Sequence, residues 1–247
     1  MKALTLRAPV AEFVGTAILL IAVVGSGIMA QRLCGGNIGL ALLANALATG
    51  GALVALILTF GPISGAHFNP AVTLVDAWQG GVAWSAVPLY ILAQMVGALC
   101  GTAIADGMFG LPLFFASHHV RGGGPLLVSE FIATFGLLAT IWGCVRSRPT
   151  LTPFAVAAYI VGAYWFTPST SFANPAVTVA RSFTDTFAGI RPADAPLFIV
   201  AQLLGAFAAT VLFAYLSPIT RTTAEAIVVP HPEVAHGRRT PRRSART

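Results

Sequence analysis

Three observations predict an all-α membrane protein with six transmembrane helices, two re-entrant half-helices and an inverted internal repeat. Of 247 residues, 56% are hydrophobic and only 9% charged, with mean hydropathy +0.81; a soluble domain carries about 25% charged residues. Three sequence landmarks recur in the same order in both halves. The string NPAVT also stands twice, at Asn69 and Asn174, each time among apolar residues where a helix-starting signal has no ordinary use.

Ile38 to Phe60, Trp84 to Ala105 and Pro196 to Ser217 hold no charge at all. Each is long enough for a hydrocarbon core that needs about 20 helical residues. Ala8 to Ala30 and Pro125 to Val145 each carry one carboxylate, Glu12 and Glu130, and Leu151 to Pro168 is a shorter sixth span. The first run is too long for a signal peptide and lacks a small-residue cleavage site, so it reads as a retained helix.

Six spans put both ends on one side. Lys2, Arg7, Arg146, Arg148, Arg221, Arg238, Arg239, Arg242, Arg243 and Arg246 then share that side, against Arg32, Arg121, Arg181 and Arg191 on the other. This bias places both termini in the cytoplasm of an inner (plasma) membrane protein. The net charge of +6 is therefore a topology signal and gives no reason to expect nucleic acid. Residues 218–247 read as a basic, disordered cytoplasmic tail near anionic lipid, leaving 1–217 as one domain. Cys34, Cys100 and Cys144 have neither metal nor disulfide spacing.

AEFVGTAILL from Ala11 matches SEFIATFGLL from Ser129, the two NPAVT strings match, and AQMVGALCGT from Ala93 matches AQLLGAFAAT from Ala201. The repeats cover about 8–109 and 125–217, joined by a loop from Asp106 to Gly124. Three spans per half invert the second half, about a pseudo-twofold axis in the membrane plane. Gly97 and Gly101, matched by Gly205 and Ala209, give small faces for close helix packing.

The stretch from Phe60 to Trp84 is too apolar for a surface loop and too short for two spans. It reads as a re-entrant hairpin, tolerated at membrane depth only when buried in protein or lining a wet cavity. Asn is a favoured N-cap and Pro suits the first helical position. Asn69 and Asn174 thus cap two half-helices begun by Pro70-Ala71 and Pro175-Ala176, with Val72 and Val177 at the third position. Inversion brings the two helix N-termini, each a partial positive charge, together near the midplane. Backbone carbonyls near Gly65, Ala66 and His67, and near Ser171, Phe172 and Ala173, are expected to line the passage. Glu12 and Glu130 could relay protons, but their matched positions favour accepting hydrogen bonds from the re-entrant backbone.

SGAHFNPAVT, from Ser64 to Thr73, and the second Asn-Pro-Ala resemble the major intrinsic protein family, the aquaporins and aquaglyceroporins, over about Ala8 to Ser217. The resemblance implies one pore per subunit of a homotetramer, passing water and small neutral solutes in a lipid membrane without a cofactor. It also implies a selectivity filter, which by offset falls on Thr49, Gly162, Ser171 and Val177. Family members usually place Arg where Val177 stands, and water-selective members have Phe and His at the first two positions. The small uncharged set here implies a wider constriction, unless Phe166 or Phe172 refills it. Arg181, two turns beyond Asn174, reads either as a vestibule cation or as a capping or lipid-headgroup residue, with Asp185 as a candidate salt-bridge partner. Its counterpart Asp76 has Arg146 or Arg148 as candidate partners. The Val-for-Arg pattern, with ARSF beyond it, resembles a bacterial branch associated with arsenic resistance.

The expected function is a passive channel for water and small uncharged solutes of the aquaglyceroporin type, with glycerol, neutral metalloid acids and arsenicals as candidate solutes. A water-selective pore and a secondary transporter are the alternatives. An enzyme is not expected: no nucleophile, metal set or phosphate loop occurs in a suitable place. His118 and His119 lack further ligands for a metal.

Overall fold

The computed structural model describes residues 6–217; the expected tail at 218–247, and Lys2, lie outside the described residues. Eight α-helices follow in order among them: α1 (Arg7–Leu33), α2 (Ile38–Ser64), α3 (Pro70–Gln79), α4 (Val87–Met108), α5 (Gly124–Ser147), α6 (Thr152–Phe166), α7 (Pro175–Arg181) and α8 (Ala195–Leu216). Of these, α1, α2, α4, α5 and α8 are long and apolar enough to cross a membrane. The chain is a multi-pass membrane protein.

The sixth expected span is the short one. Helix α6 has 15 residues and rises about 22 Å at 1.5 Å per residue, against a core of about 30 Å. A 3-10 turn over Pro149–Leu151 leads into it, and non-helical chain from Thr167 follows. Thr167 is extended (φ −114°, ψ 128°), because Pro168 disfavours helical geometry in the residue before it. Helix α2 instead runs through Pro62 and stops at Ser64, where Gly65 (φ +88°) forms a left-handed cap.

The polarity of the molecule suits lipid. Leu197, Val200, Leu204, Phe207 and Val211 on α8 are exposed, while Glu12, Gln94, Glu130 and Gln202 are fully buried. The long helices pair as α1 with α4 and α5 with α8, and glycine allows the closeness. A Cβ at Gly97 would lie 2.4 Å from the Phe13 carbonyl oxygen, and one at Gly205 would lie 2.3 Å from that of Phe131.

The segment 109–123 folds back over the end of α7. Phe115 N–H donates to the Phe183 carbonyl at 3.0 Å, Ser117 N–H to Ser182 at 3.0 Å, and Arg191 N–H to His119 at 2.7 Å. Asp185 is taken by this segment, accepting from the His118 N–H at 2.8 Å and lying 3.0 Å from its ring Nδ1. The candidate pairing of Asp185 with Arg181 is therefore not made. Nor does Asp76 meet Arg146 or Arg148: it is buried 3.6 Å from His67 Nε2, and Arg146 Nη1 donates to the Phe213 carbonyl. In both cases a histidine brought up by another segment takes the carboxylate instead.

Candidate functional site

Each half-helix begins inside the protein, at its asparagine. Asn69 Oδ1 accepts from Ala71 N–H at 2.9 Å, and Asn174 Oδ1 accepts from Ala176 and Val177 N–H at 2.9 and 3.3 Å. Pro70 and Pro175 occupy the first helical positions, where a missing N–H costs nothing. The carboxamide nitrogens cross between the halves. Asn69 Nδ2 donates to the Ala173 carbonyl at 2.8 Å and Asn174 Nδ2 to the Phe68 carbonyl at 2.7 Å. A carboxamide has two N–H donors, so one remains on each for the passage.

The arms before the asparagines are held by the matched carboxylates. Glu12 accepts from Ser64 Oγ (2.6 Å), His67 N–H (3.0 Å), Phe68 N–H (2.7 Å) and Gln94 Nε2 (2.8 Å). Glu130 accepts from Phe172 N–H (2.9 Å), Ala173 N–H (2.9 Å) and Gln202 Nε2 (2.6 Å). In a trans peptide the C=O points opposite to the N–H. Aiming the N–H groups of 67, 68, 172 and 173 at buried carboxylates therefore turns the carbonyls of Ala66, His67, Ser171 and Phe172 away from them. The geometry requires left-handed backbone at non-glycine residues: Ala66 (φ +50°), Phe68 (φ +48°), Ser171 (φ +51°) and Ala173 (φ +47°). Such residues cost about 1–3 kcal/mol each and persist only where surroundings over-determine them. Hydrogen bonds to carboxylates, about twice as strong as neutral ones, supply that determination.

A central cavity of about 70 Å³ runs past these groups. Asn69, Asn174, Val72, Val177, Ala66, His67, Phe68, Ser171, Phe172 and Ala173 line it. Four helices complete the wall through residues four apart: Leu19 and Val23 on α1; Thr49, Leu53 and Ile57 on α2; Leu137 and Ile141 on α5; Val156, Ile160 and Tyr164 on α6. Pro70, Ala71, Pro175 and Ala176 are buried behind it. Gly65 is absent from the wall, being the cap of α2.

Three of the four expected filter positions, Thr49, Ser171 and Val177, line this cavity; Gly162 does not, and Tyr164 does. The reason is register. Ile57 precedes Asn69 by 12 residues and faces the cavity, but in the second half the facing residues stand 14 and 10 before Asn174. A shift of two residues turns a helix by about 200°, which sends Gly162 to the far face. The Tyr164 hydroxyl lies 3.3 Å from Thr49 Oγ1. Ser171 Oγ is buried without a hydrogen-bond partner among the described residues.

Beyond Val177 lies a second cavity of about 500 Å³, lined by Asn37, Asn45, His119, Arg121, Thr170 and Arg181 among others. Arg181 is one of its lining residues and is only 2% exposed. Its Nε donates to the Ala188 carbonyl, and its guanidinium carbon stacks 3.4 Å from the centroid of the Phe172 ring. Arg121 comes from the loop, anchored through Nε to the Gly189 carbonyl at 2.7 Å. Desolvation, partly offset by Glu130 and Tyr164, depresses its pKa. Nothing in the local sequence signals Arg121, because long-range pairing of the loop places it. Among the described residues no group of three or more His, Cys, Asp or Glu stands together as a metal site.

The model of the family described as "Major intrinsic protein" matches residues 1–169 and 154–241. The aquaglyceroporin AqpS of Rhizobium meliloti (strain 1021) is 52% identical over 88% of this chain and 94% of its own length. The probable aquaporin NIP7-1 of Arabidopsis thaliana is 32% identical over 87% of this chain and 78% of its own. The X-ray structure of the aquaglyceroporin from Plasmodium falciparum superposes with a TM-score of 0.60 at 21% identity, covering 84% of this chain and 95% of that one; at that identity it speaks to the fold alone. With the crossed asparagines and the lined passage, these matches establish that the chain belongs to the major intrinsic protein family and is a membrane channel for water and small solutes.

Proposed function

We propose that this channel is of the aquaglyceroporin type, passing glycerol and neutral metalloid acids such as arsenious acid as well as water. We also read it as a homotetramer in the plasma membrane, with both termini cytoplasmic and a single channel domain over 1–217. One observation carries the solute reading: among the described residues no Lys, Arg, Asp or Glu lines the central cavity, and Val177 follows the second Asn-Pro-Ala directly. Thr49, Tyr164 and Ser171 offer three hydroxyls beside that valine. Such a wall suits polyhydroxy molecules, which exchange hydrogen bonds with it, and gives an ion too little in place of its hydration. The similarity to an aquaglyceroporin supports the same reading.

One observation favours the narrower alternative of water alone. The wall that was expected to carry Gly162 carries the bulky Tyr164 instead, whose hydroxyl lies 3.3 Å from Thr49 Oγ1. Stopped-flow light scattering on proteoliposomes, with a glycerol and urea series, separates the two. We expect glycerol flux in the native protein that falls at least tenfold in Val177→Arg while water flux persists. Native vesicles that pass water but exclude glycerol overturn the wide-constriction reading and leave the channel intact.

A further inference from the structure

The second cavity is lined by two arginines that have no ion-pair partner among the described residues. Arg181 and Arg121 both approach the ring of Phe172, at 3.4 and 5.2 Å from its centroid to their guanidinium carbons. Among the described residues neither forms a salt bridge; the ion pairs present are His67 with Asp76, His118 and His119 with Asp185, and Arg191 with Asp194. Glu130 acts on both cations through the arm, but its oxygens are occupied by Phe172, Ala173 and Gln202. A ring face attracts a cation, yet it neutralises neither charge. Two like charges this close, with one nearly buried, leave a positive potential focused into the cavity.

The two arginines differ in what they have left to give. Arg121 spends Nε, Nη1 and Nη2 on the carbonyls of Gly189, Ser169 and Phe187. Arg181 spends only Nε, on Ala188, and its two Nη groups make no hydrogen bond among the described residues. The residue is only 2% exposed, so these donors are largely desolvated and are fixed by stacking on Phe172, in a residue that lines the cavity. A planar guanidinium with free Nη donors matches two oxygens of a carboxylate or oxyanion. Asn37 and Thr170 add neutral polar groups to the same wall, and Leu42 and Phe187 an apolar patch.

We propose that this vestibule is a docking site for a small oxyanion, a monocarboxylate or a phosphate-like tetrahedral anion, held by the Nη groups of Arg181 with Arg121 behind it. The site lies outside the central cavity, on the side of Val177 away from Asn174, and it does not depend on how wide the constriction is. An anion bound there faces an uncharged wall ahead of it, so the vestibule collects the charged form of an acid and the constriction selects against it.

Cys34 lines the same cavity and is a free thiol, which makes the native protein its own probe. In full-length protein in nanodiscs at low salt, the labelling of Cys34 by an anionic and by a cationic methanethiosulfonate is followed by mass spectrometry. Each rate is normalised to that with a small free thiol. We expect the anionic reagent to be favoured at least fivefold, with sodium phosphate or sodium lactate slowing it and whichever protects better naming the anion class. Arg181→Gln is expected to erase the preference, and Arg181→Lys to keep the preference while weakening protection about tenfold. Equal normalised rates for the two reagents in the native protein, or a preference that neither anion competes away, overturn the proposal whether or not the variants fold. Failure here leaves the glycerol experiment unaffected, and the reverse holds too.

Discussion

Asn69 and Asn174 are cross-bonded: each caps its own half-helix with its oxygen and donates its nitrogen to a carbonyl of the other half's arm, at 2.8 and 2.7 Å. The two halves thereby fix each other at the centre of the passage. A shift of either half-helix breaks one bond from each asparagine, so the position of both remaining N–H donors is set jointly.

Replacing the cross-bonding donor by an acceptor tests this coupling. In Asn69→Asp or Asn174→Asp the cap oxygen survives, but the second oxygen faces a carbonyl. We expect both to lower the thermal midpoint of the purified protein more than the matching Ala variants. The latter lose the cap, worth about 1 kcal/mol, and one buried hydrogen bond, worth about 1 kcal/mol. Aspartate variants as stable as the native protein, measured by thermal unfolding in detergent, would show that the cross-bonds contribute nothing.

The carboxylates beneath the arms are expected to act as clamps. Glu12 fills its lone-pair sites with four donors from Ser64, His67, Phe68 and Gln94, leaving no acceptor site for a relayed proton. Glu12→Gln turns one oxygen into a donor that opposes Phe68 N–H or His67 N–H. A buried donor left unpaired costs about 1–3 kcal/mol, and Glu130→Gln should cost a similar amount. The pH dependence of water flux should be unchanged in whatever fraction folds. A flux that loses its pH dependence in either variant would instead favour the relay role.

The sequence made the paired features legible because they are local and written twice. Glu12 and Glu130, the two asparagine caps and the close glycine faces each follow from residues that recur at matched places. The misplacements arose where matching failed. The second half is shifted by two residues between α6 and Asn174, so counting from the motif reached Gly162 when the wall uses Tyr164. Asp76, Asp185 and Arg121 meet partners brought by the folding of other segments, which no spacing in the sequence encodes. The same repeat position also carries different chemistry in each half. His67 with Asp76 on one side is matched by Phe172 with Arg181 on the other, and only the structure shows that both pairs are in contact.

Tyr164 and Gly162 offer a direct contrast. A Cβ at Gly162 would meet only the Phe166 ring at 3.6 Å, an ordinary contact, so Gly162→Ala should leave the glycerol-to-water permeability ratio unchanged. Tyr164→Ala removes the ring that reaches toward Thr49 and should raise that ratio severalfold. If Gly162→Ala changes the ratio and Tyr164→Ala does not, the facing residue of α6 has been misidentified.

The loop over the vestibule should be sensitive to acid through Asp185. The His118 backbone N–H at 2.8 Å, and then its ring, hold this carboxyl below the usual range. A carboxylate with a depressed folded pKa contributes stability that is present above its unfolded value, about 3.9, and is lost as pH falls through the lower folded value. The His118 backbone amide is a donor that does not titrate in this range, so its hydrogen exchange reports the contact. Corrected for intrinsic rates, the protection that Asp185 gives this amide should hold from pH 7 to pH 5 and decline only below about pH 4. In Asp185→Asn the decline below pH 4 should disappear and protection at neutral pH should be lower. Equal protection in the two proteins at every pH would mean that the backbone pairings of Phe115 and Ser117 hold the loop without the carboxylate.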